Sequence, residues 1–218
     1  MPRQIDIIEN FVRNLLCTEG SGHDFYHVDR VRKVALRLAQ REGGCDLQIV
    51  EAAALLHDVA DRKICKDVQE GYRAIRETLA AADFDEVSSD GIVRIIEGVS
   101  YRGASVETPM ESLEGKVVQD ADRLDALGAI GIARCFAYGG SKSSLLYDPE
   151  KPYTLHNSAD SYHTSQGSSL NHFYEKLLLL KDRMQTGSGK WLAEKRHQFL
   201  ELYLRQFLSE WDGRDLQD

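Results

Sequence analysis

This chain of 218 residues is poor in cysteine, proline and basic charge, and it has no long apolar run. Its four cysteines, Cys17, Cys45, Cys65 and Cys135, are scattered, and no two make a C-x-x-C pair. That pattern excludes a disulfide framework and a cysteine zinc cluster, and it leaves reduced thiols of the kind expected in a cytoplasmic protein. No stretch approaches the roughly 18 apolar residues of a spanning helix, so no membrane partner is expected. The first residues, Met1-Pro2-Arg3-Gln4-Ile5-Asp6, carry no apolar signal region, and secretion is not expected. The net charge is −8, from 27 Lys and Arg against 35 Asp and Glu. Proteins built to hold a nucleic-acid backbone carry a basic footprint, so nucleic acid is not expected as a partner. A small phosphorylated ligand needs only a local basic pocket and is not excluded.

What is present reads as helix throughout. Ile5, Ile8, Phe11, Val12, Leu15 and Leu16 follow the three-and-four spacing of an amphipathic helix, which Gly20-Ser21-Gly22 ends. Asp24 is a good N-cap for a second helix with Val28, Val31, Val34, Ala35, Leu38 and Ala39 on its apolar face, and Gly43-Gly44 stops it. Asp46 caps a third. Further helices are expected over about 71–82, 85–99, 112–137, 169–184 and 190–211. Residues 138–167, rich in Gly, Ser and Pro, read as one long connection, and residues 212–218 as a frayed tail. No run of alternating strands or internal repeat stands out. The expectation is a single all-α domain, a helical bundle spanning residues 1–218.

The third helix carries the most informative feature. Its apolar run Val50-Glu51-Ala52-Ala53-Ala54-Leu55-Leu56 ends in His57-Asp58. An imidazole and a carboxylate at the end of a buried helix cost desolvation energy unless something satisfies them. A divalent metal would satisfy both, and so would a hydrogen bond between them that ties two helices together. Two distant blocks add weight to the metal. Upstream is Gly22-His23-Asp24-Phe25-Tyr26-His27-Val28-Asp29-Arg30-Val31, and downstream is Val118-Gln119-Asp120-Ala121-Asp122-Arg123-Leu124-Asp125. A His, a His-Asp pair and a distant Asp supply two nitrogen and two oxygen ligands, which suits a catalytic transition metal with open positions. Asp122 and Asp125 share a helix face, whereas Asp120 points elsewhere. If Asp24 is the N-cap, His23 lies just outside the helix. His156, His163 and His172 read as loop or packing histidines, and Leu177 to Leu180 read as core.

His27, His57-Asp58 and Asp122 on separate helices resemble the HD superfamily of metal-dependent phosphohydrolases. The likeness continues through Gln119-Asp120-Ala121-Asp122-Arg123-Leu124-Asp125-Ala126-Leu127-Gly128-Ala129-Ile130-Gly131 and His172-Phe173-Tyr174-Glu175-Lys176-Leu177. These blocks are similar to small, single-domain bacterial proteins of the nucleotide pyrophosphohydrolase type, over nearly the whole chain.

The resemblance implies a domain of the HD type with His27, His57, Asp58 and Asp122 as metal ligands, Asp58 being able to bridge two ions. Phosphoryl transfer needs a Lewis acid that polarises the phosphate and makes water acidic. A mixed nitrogen and oxygen set points to Mn²⁺ first, with Fe²⁺, Co²⁺, Ni²⁺ or Mg²⁺ as alternatives. The implied substrate is a nucleoside triphosphate, deoxy forms first, cleaved to a monophosphate and pyrophosphate. The alternatives are a nucleotide phosphomonoesterase, a cyclic-nucleotide phosphodiesterase, and a ligand-binding scaffold without chemistry. Asp58 and Asp61 are the catalytic candidates. Asp61 lies one turn beyond His57 and would orient or deprotonate the attacking water if the helix continues, with a loop carboxylate paired to Arg62 or Lys63 as the other reading. His23, Arg30 and Lys63 are candidates to contact substrate, the two cations as phosphate clamps. Residues 138–167 are expected to form a flap over the nucleotide. Exposed apolar positions on the terminal helices allow a homodimer.

Overall fold

Most helices of this protein begin where a short polar side chain can take up the first free backbone N–H groups. The computed structural model describes residues 3–16, 24–61, 64–65, 67–101, 106–155 and 167–216. Asp24 accepts from His27 N and starts α2 (Phe25–Glu42). Asp46 accepts from Gln48 N and Ile49 N and starts α3 (Leu47–Leu56). Asp67, Asp85 and Ser112 do the same for α4 (Val68–Ala81), α5 (Glu86–Val99) and α6 (Leu113–Asp125), and Thr186 for α9 (Gly187–Trp211). Such a cap contributes about 1 kcal/mol. The remaining helices are α1 (Gln4–Leu15), α7 (Gly128–Ser141) and α8 (Asn171–Glu175). There is no strand among the described residues, so the all-α expectation holds. None of these helices is long and apolar enough to cross a membrane.

The core is organised around α3. Val50, Ala52, Ala53, Ala54, Leu55 and Leu56 are all buried, so this helix has an apolar surface nearly all round. A helix of that kind is stable only when enclosed, and α3 packs against α1, α2, α5 and α6. Its alanines let those neighbours approach closely. Helices α2 and α6 also pack on each other, so α2, α3 and α6 meet as a mutual triad. The far helix α9 closes the bundle against α2, α6 and α7.

Two expected helices are broken. The stretch 112–137 is two helices, because Leu127 is extended and Gly128 has φ +69°, a left-handed conformation that favours glycine. The stretch 169–184 holds only the short α8, then 3-10 turns at Leu177–Leu179 and Lys181–Arg183. The apolar residues there are spaced for burial but not for one continuous helix, and Leu177 and Leu180 do enter the core.

The expected long connection also differs. Its first residues, 138–141, complete α7, which stands between α6 and the connection. Residues 142–155 are then tied to α8 and α9. Tyr153 stacks on Tyr174 with ring centroids 4.8 Å apart, and Tyr147 packs edge-on against Trp211 at 5.2 Å. Asn171 Nδ2 donates to the Lys151 carbonyl at 3.1 Å. A flap over all of 138–167 therefore does not describe its first half. Residues 156–166, with His156 and His163, lie outside the described residues, as does the glycine stop at residues 20–22. The tail carries a 3-10 turn at Arg214–Leu216.

One buried carboxylate fastens α9 to α6. Asp120 accepts from Gln185 N at 2.9 Å, from Thr186 N at 2.8 Å and from Thr186 Oγ1 at 2.7 Å. Gly189 lies against it, and a Cβ there would run into Asp120 Oδ2 and Thr186 Oγ1. Gly189→Ala is expected to destabilise the protein by about 1–3 kcal/mol, the range for overpacking a closed site. Urea unfolding at equilibrium measures this, and an unchanged midpoint would contradict the packing described.

Candidate metal centre

The triad of α2, α3 and α6 brings together side chains that are far apart in sequence. His27 is the third residue of α2, held there by the Asp24 cap, and its ring is fully buried. His57 is the C-cap of α3, and Asp58 opens the following turn. Asp122 projects from α6. The His27 and His57 Nε2 atoms are 3.3 Å apart. Asp58 places one oxygen 3.3 Å from His27 Nε2 and the other 3.4 Å from His57 Nε2. Asp122 Oδ1 is 3.6 Å from the first and 3.7 Å from the second. The cluster is closed except at Asp122, whose side chain is 26% exposed.

The other ring nitrogens decide what faces inward. His57 Nδ1 lies 2.8 Å from the Ala54 carbonyl, a group that can only accept, so Nδ1 carries the hydrogen. His27 Nδ1 lies 2.7 Å from Asp125 Oδ2. Burial pushes the Asp125 carboxyl upward, but hydrogen bonds from His27 and Arg30 outweigh it and hold this acid well below the usual carboxylate range. Asp125 therefore accepts, and His27 Nδ1 also carries its hydrogen. In the neutral imidazoles both Nε2 atoms then present lone pairs to each other and to two carboxylates. Four acceptors at such spacing repel unless a cation or a proton sits among them.

A metal ion fits this arrangement. Ligand atoms about 2.1 Å from an ion, and about 90–110° apart around it, lie about 3.0–3.4 Å from one another. The observed separations of 3.3–3.7 Å are close to that spacing. His27, His57 and Asp122 could hold such an ion, and Asp58 lies beside them. With no ion, a proton can serve. Burial lowers the His27 pKa, yet the hydrogen bonds to Asp125 and Asp58 prevail and raise it.

The geometry divides the three aspartates of α6. Asp122 faces the histidines, Asp125 lies behind His27, and Asp120 is turned away to hold Gln185 and Thr186 at the start of α9. Arg30, expected as a phosphate clamp, closes on Asp125 through Nε at 2.8 Å and Nη2 at 3.0 Å. Arg134 of α7 adds a third cationic contact, 3.1 Å from Asp125 Oδ2. Sequence reasoning missed Arg134, because nothing in its spacing from Asp125 across a helix break marks it. The Ala54 carbonyl was equally invisible. For Asp61 the condition of a continuing helix is not met. Helix α3 ends at Leu56, and Val59 N→Leu56 O and Asp61 N→Asp58 O are turn hydrogen bonds. His23 and Lys63 lie outside the described residues.

The chain is similar to known proteins over nearly its whole length. A model of the HD domain matches residues 24–127. Bacillus subtilis YpgQ is 38% identical over 215 residues, covering 98% of this chain and 96% of that protein. A crystal structure of YpgQ in complex with ADP superposes with a TM-score of 0.75 over 94% of this chain and 96% of that one, at 36% identity. A Lactobacillus plantarum protein superposes with a TM-score of 0.85 at 36% identity, over 96% of this chain and 97% of its own. An HD-superfamily hydrolase from Bacillus thuringiensis does so at 0.74 and 44% identity, over 95% and 96%.

Two variants separate holding the ion from orienting its ligands. His57→Ala removes one of the side chains that could hold the ion and is expected to abolish stoichiometric metal binding. Asp125→Asn leaves the four inner side chains in place but weakens the acceptor that fixes the His27 ring, and is expected to lower metal affinity about 10–100-fold. Titration with Mn²⁺ followed by elemental analysis reads both. Full metal content in His57→Ala would remove the centre from this position.

Proposed function

We propose a reaction for this chain, which belongs to the HD superfamily of hydrolases: metal-dependent cleavage of a nucleoside triphosphate, deoxy forms first, to a monophosphate and pyrophosphate. The observation that carries it is the inward convergence of His27, His57, Asp58 and Asp122 with both histidine tautomers set by hydrogen bonds. These four side chains would hold a divalent ion, Mn²⁺ first. When bound, that ion supplies Lewis acidity at the phosphate and lowers the pKa of water. The crystal structure of YpgQ with ADP supports a nucleotide as the ligand class.

The chain's own residues would divide the work. Asp125, gripped by Arg30 and Arg134, keeps the His27 ring in one orientation with a hydrogen on Nδ1, so that the neutral ring turns its Nε2 lone pair inward. Asp58 spans both histidines with its two oxygens, a position from which it could bridge a pair of ions. Asp122, the most open of the four, leaves a side from which a phosphate can approach. Asp61 is not placed by helical spacing; it closes the turn that starts at Asp58, with Asp61 N donating to the Asp58 carbonyl at 3.0 Å, and from that turn it would orient or deprotonate the attacking water.

A panel of nucleotides assayed separately for pyrophosphate and orthophosphate, with several divalent ions, tests the reading. Pyrophosphate from triphosphates in the presence of Mn²⁺ is expected. Orthophosphate instead would make the protein a phosphomonoesterase, opening of cyclic nucleotides would make it a phosphodiesterase, and no release with any ion would leave a binding scaffold. Asp61→Asn is expected to keep its metal and lose about two to four orders of magnitude in kcat, the span for a general base, with a smaller change in KM. A variant with parental turnover would return Asp61 to the role of a loop charge.

A further inference from the structure

A second polar cluster lies one residue along α6 from Asp122. Arg123 is 5% exposed. Its Nη1 donates to the Arg183 carbonyl and its Nη2 to Thr108 Oγ1 at 2.7 Å. Its Nε is buried and has no hydrogen-bond partner among the described residues. A buried guanidinium N–H without an acceptor is costly, and its presence calls for a reason. Burial works against the charge of this group, the carboxylates of Asp120 and Asp122 act in its favour, and Arg183 repels it.

Two more cations gather at the same place. Tyr101 lies two residues beyond the end of α5, and its half-buried ring serves both. Lys176 Nζ is 5.1 Å from the ring centroid and Arg183 Cζ is 5.4 Å from it. Cation–π attraction holds each near the ring but does not cancel the repulsion between them. Arg183 is also braced by donating Nη1 to the Val106 carbonyl at 2.7 Å. Lys176 follows α8 directly, at a residue where the backbone leaves the helical conformation. Three cations from three segments thus converge about Tyr101, and one of them, Arg123, follows Asp122 along α6 and feels its charge. Such a grouping favours a ligand with several negative oxygens, and guanidinium and ammonium groups are the usual phosphate partners.

We propose that Arg123, Lys176 and Arg183, gathered about Tyr101, form a subsite for the pyrophosphate end of the substrate; this rests on the triphosphate reading of the metal centre. With the α-phosphate at the histidine and aspartate cluster, the β- and γ-phosphates extend to these cations. Arg123, through its unpartnered Nε, links the two sites. A monophosphate does not extend this far. The subsite would therefore select triphosphates by charge, and it would hold the leaving pyrophosphate.

Calorimetric titration of the full chain with inorganic pyrophosphate, after chelator has removed divalent ions, isolates this subsite from the metal centre. The parent is expected to bind, and Lys176→Met and Arg183→Met each to weaken binding about tenfold, as expected for loss of one charge-assisted hydrogen bond. Thermal melting of the variants checks their folding. Should Arg183→Met unfold through loss of its hold on Val106, Lys176→Met decides alone. No binding by the parent at millimolar pyrophosphate, or parental affinity in Lys176→Met, overturns the proposal. The titration involves no hydrolysis, so the two readings fail separately. Lysine-dependent pyrophosphate binding without nucleotide turnover keeps the subsite and rejects the reaction. Turnover with unaltered pyrophosphate affinity does the reverse.

Discussion

Asp125 is buried and ionised, and the centre of this protein depends on how that state is maintained. A carboxylate taken out of water carries a desolvation penalty of several kcal/mol unless it is fully paired. Here His27 supplies one hydrogen bond, Arg30 two and Arg134 one. Those donors come from α2 and α7, while Asp125 ends α6, so one charge joins three helices. The same charge orients the His27 ring, and the ring orientation sets where its lone pair points. The position of α2 on α6 and the chemistry at Nε2 are therefore not separable. A change that loosened the helices would also turn the ligand.

Helix α6 distributes polar groups in several directions from within the core. Successive residues turn by about 100° around a helix, so a short polar run reaches different neighbours. Gln119 donates from Nε2 to the Gly98 carbonyl at 2.7 Å and to the Thr108 carbonyl at 2.8 Å. Asp120 holds Thr186, the cap of α9, Asp122 faces the histidines, Arg123 reaches the Arg183 carbonyl and Asp125 grips His27. Buried polar groups are tolerated when they find partners, and these find theirs in segments that packing brings alongside. Among the described residues Arg123 Nε is the exception on this helix.

Much of the fold was legible in the sequence because the signals are local. Asp24, Asp46 and Asp85 mark helix starts through bonds to N–H groups two or three residues away, and α3 reads as buried from its apolar run alone. The places where reading failed are those where a distant group intervenes. Gly128 breaks what periodicity draws as one helix, and its missing side chain leaves room against Arg196. The connection after α7 looks like free loop by composition, yet Tyr147 and Tyr153 are anchored on aromatic rings of α9 and α8. Arg30 looks like a clamp for phosphate until Asp125 is seen within reach of its guanidinium.

The sequence by itself determined the helical class, several helix starts such as those of α2 and α3, and the residue types of the candidate centre, since capping, periodicity and ligand chemistry are properties of neighbours along the chain. Only the tertiary structure decided which of Asp120, Asp122 and Asp125 faces the histidines, which ring nitrogen carries hydrogen, and that Arg30 and Arg134 both close on Asp125. Those choices depend on the rotation and approach of α2, α3, α6 and α7, and that geometry is set by side-chain packing among residues up to 98 positions apart, as His27 and Asp125 are. Spacing along one helix can say that two aspartates share a face. It cannot say what that face will meet.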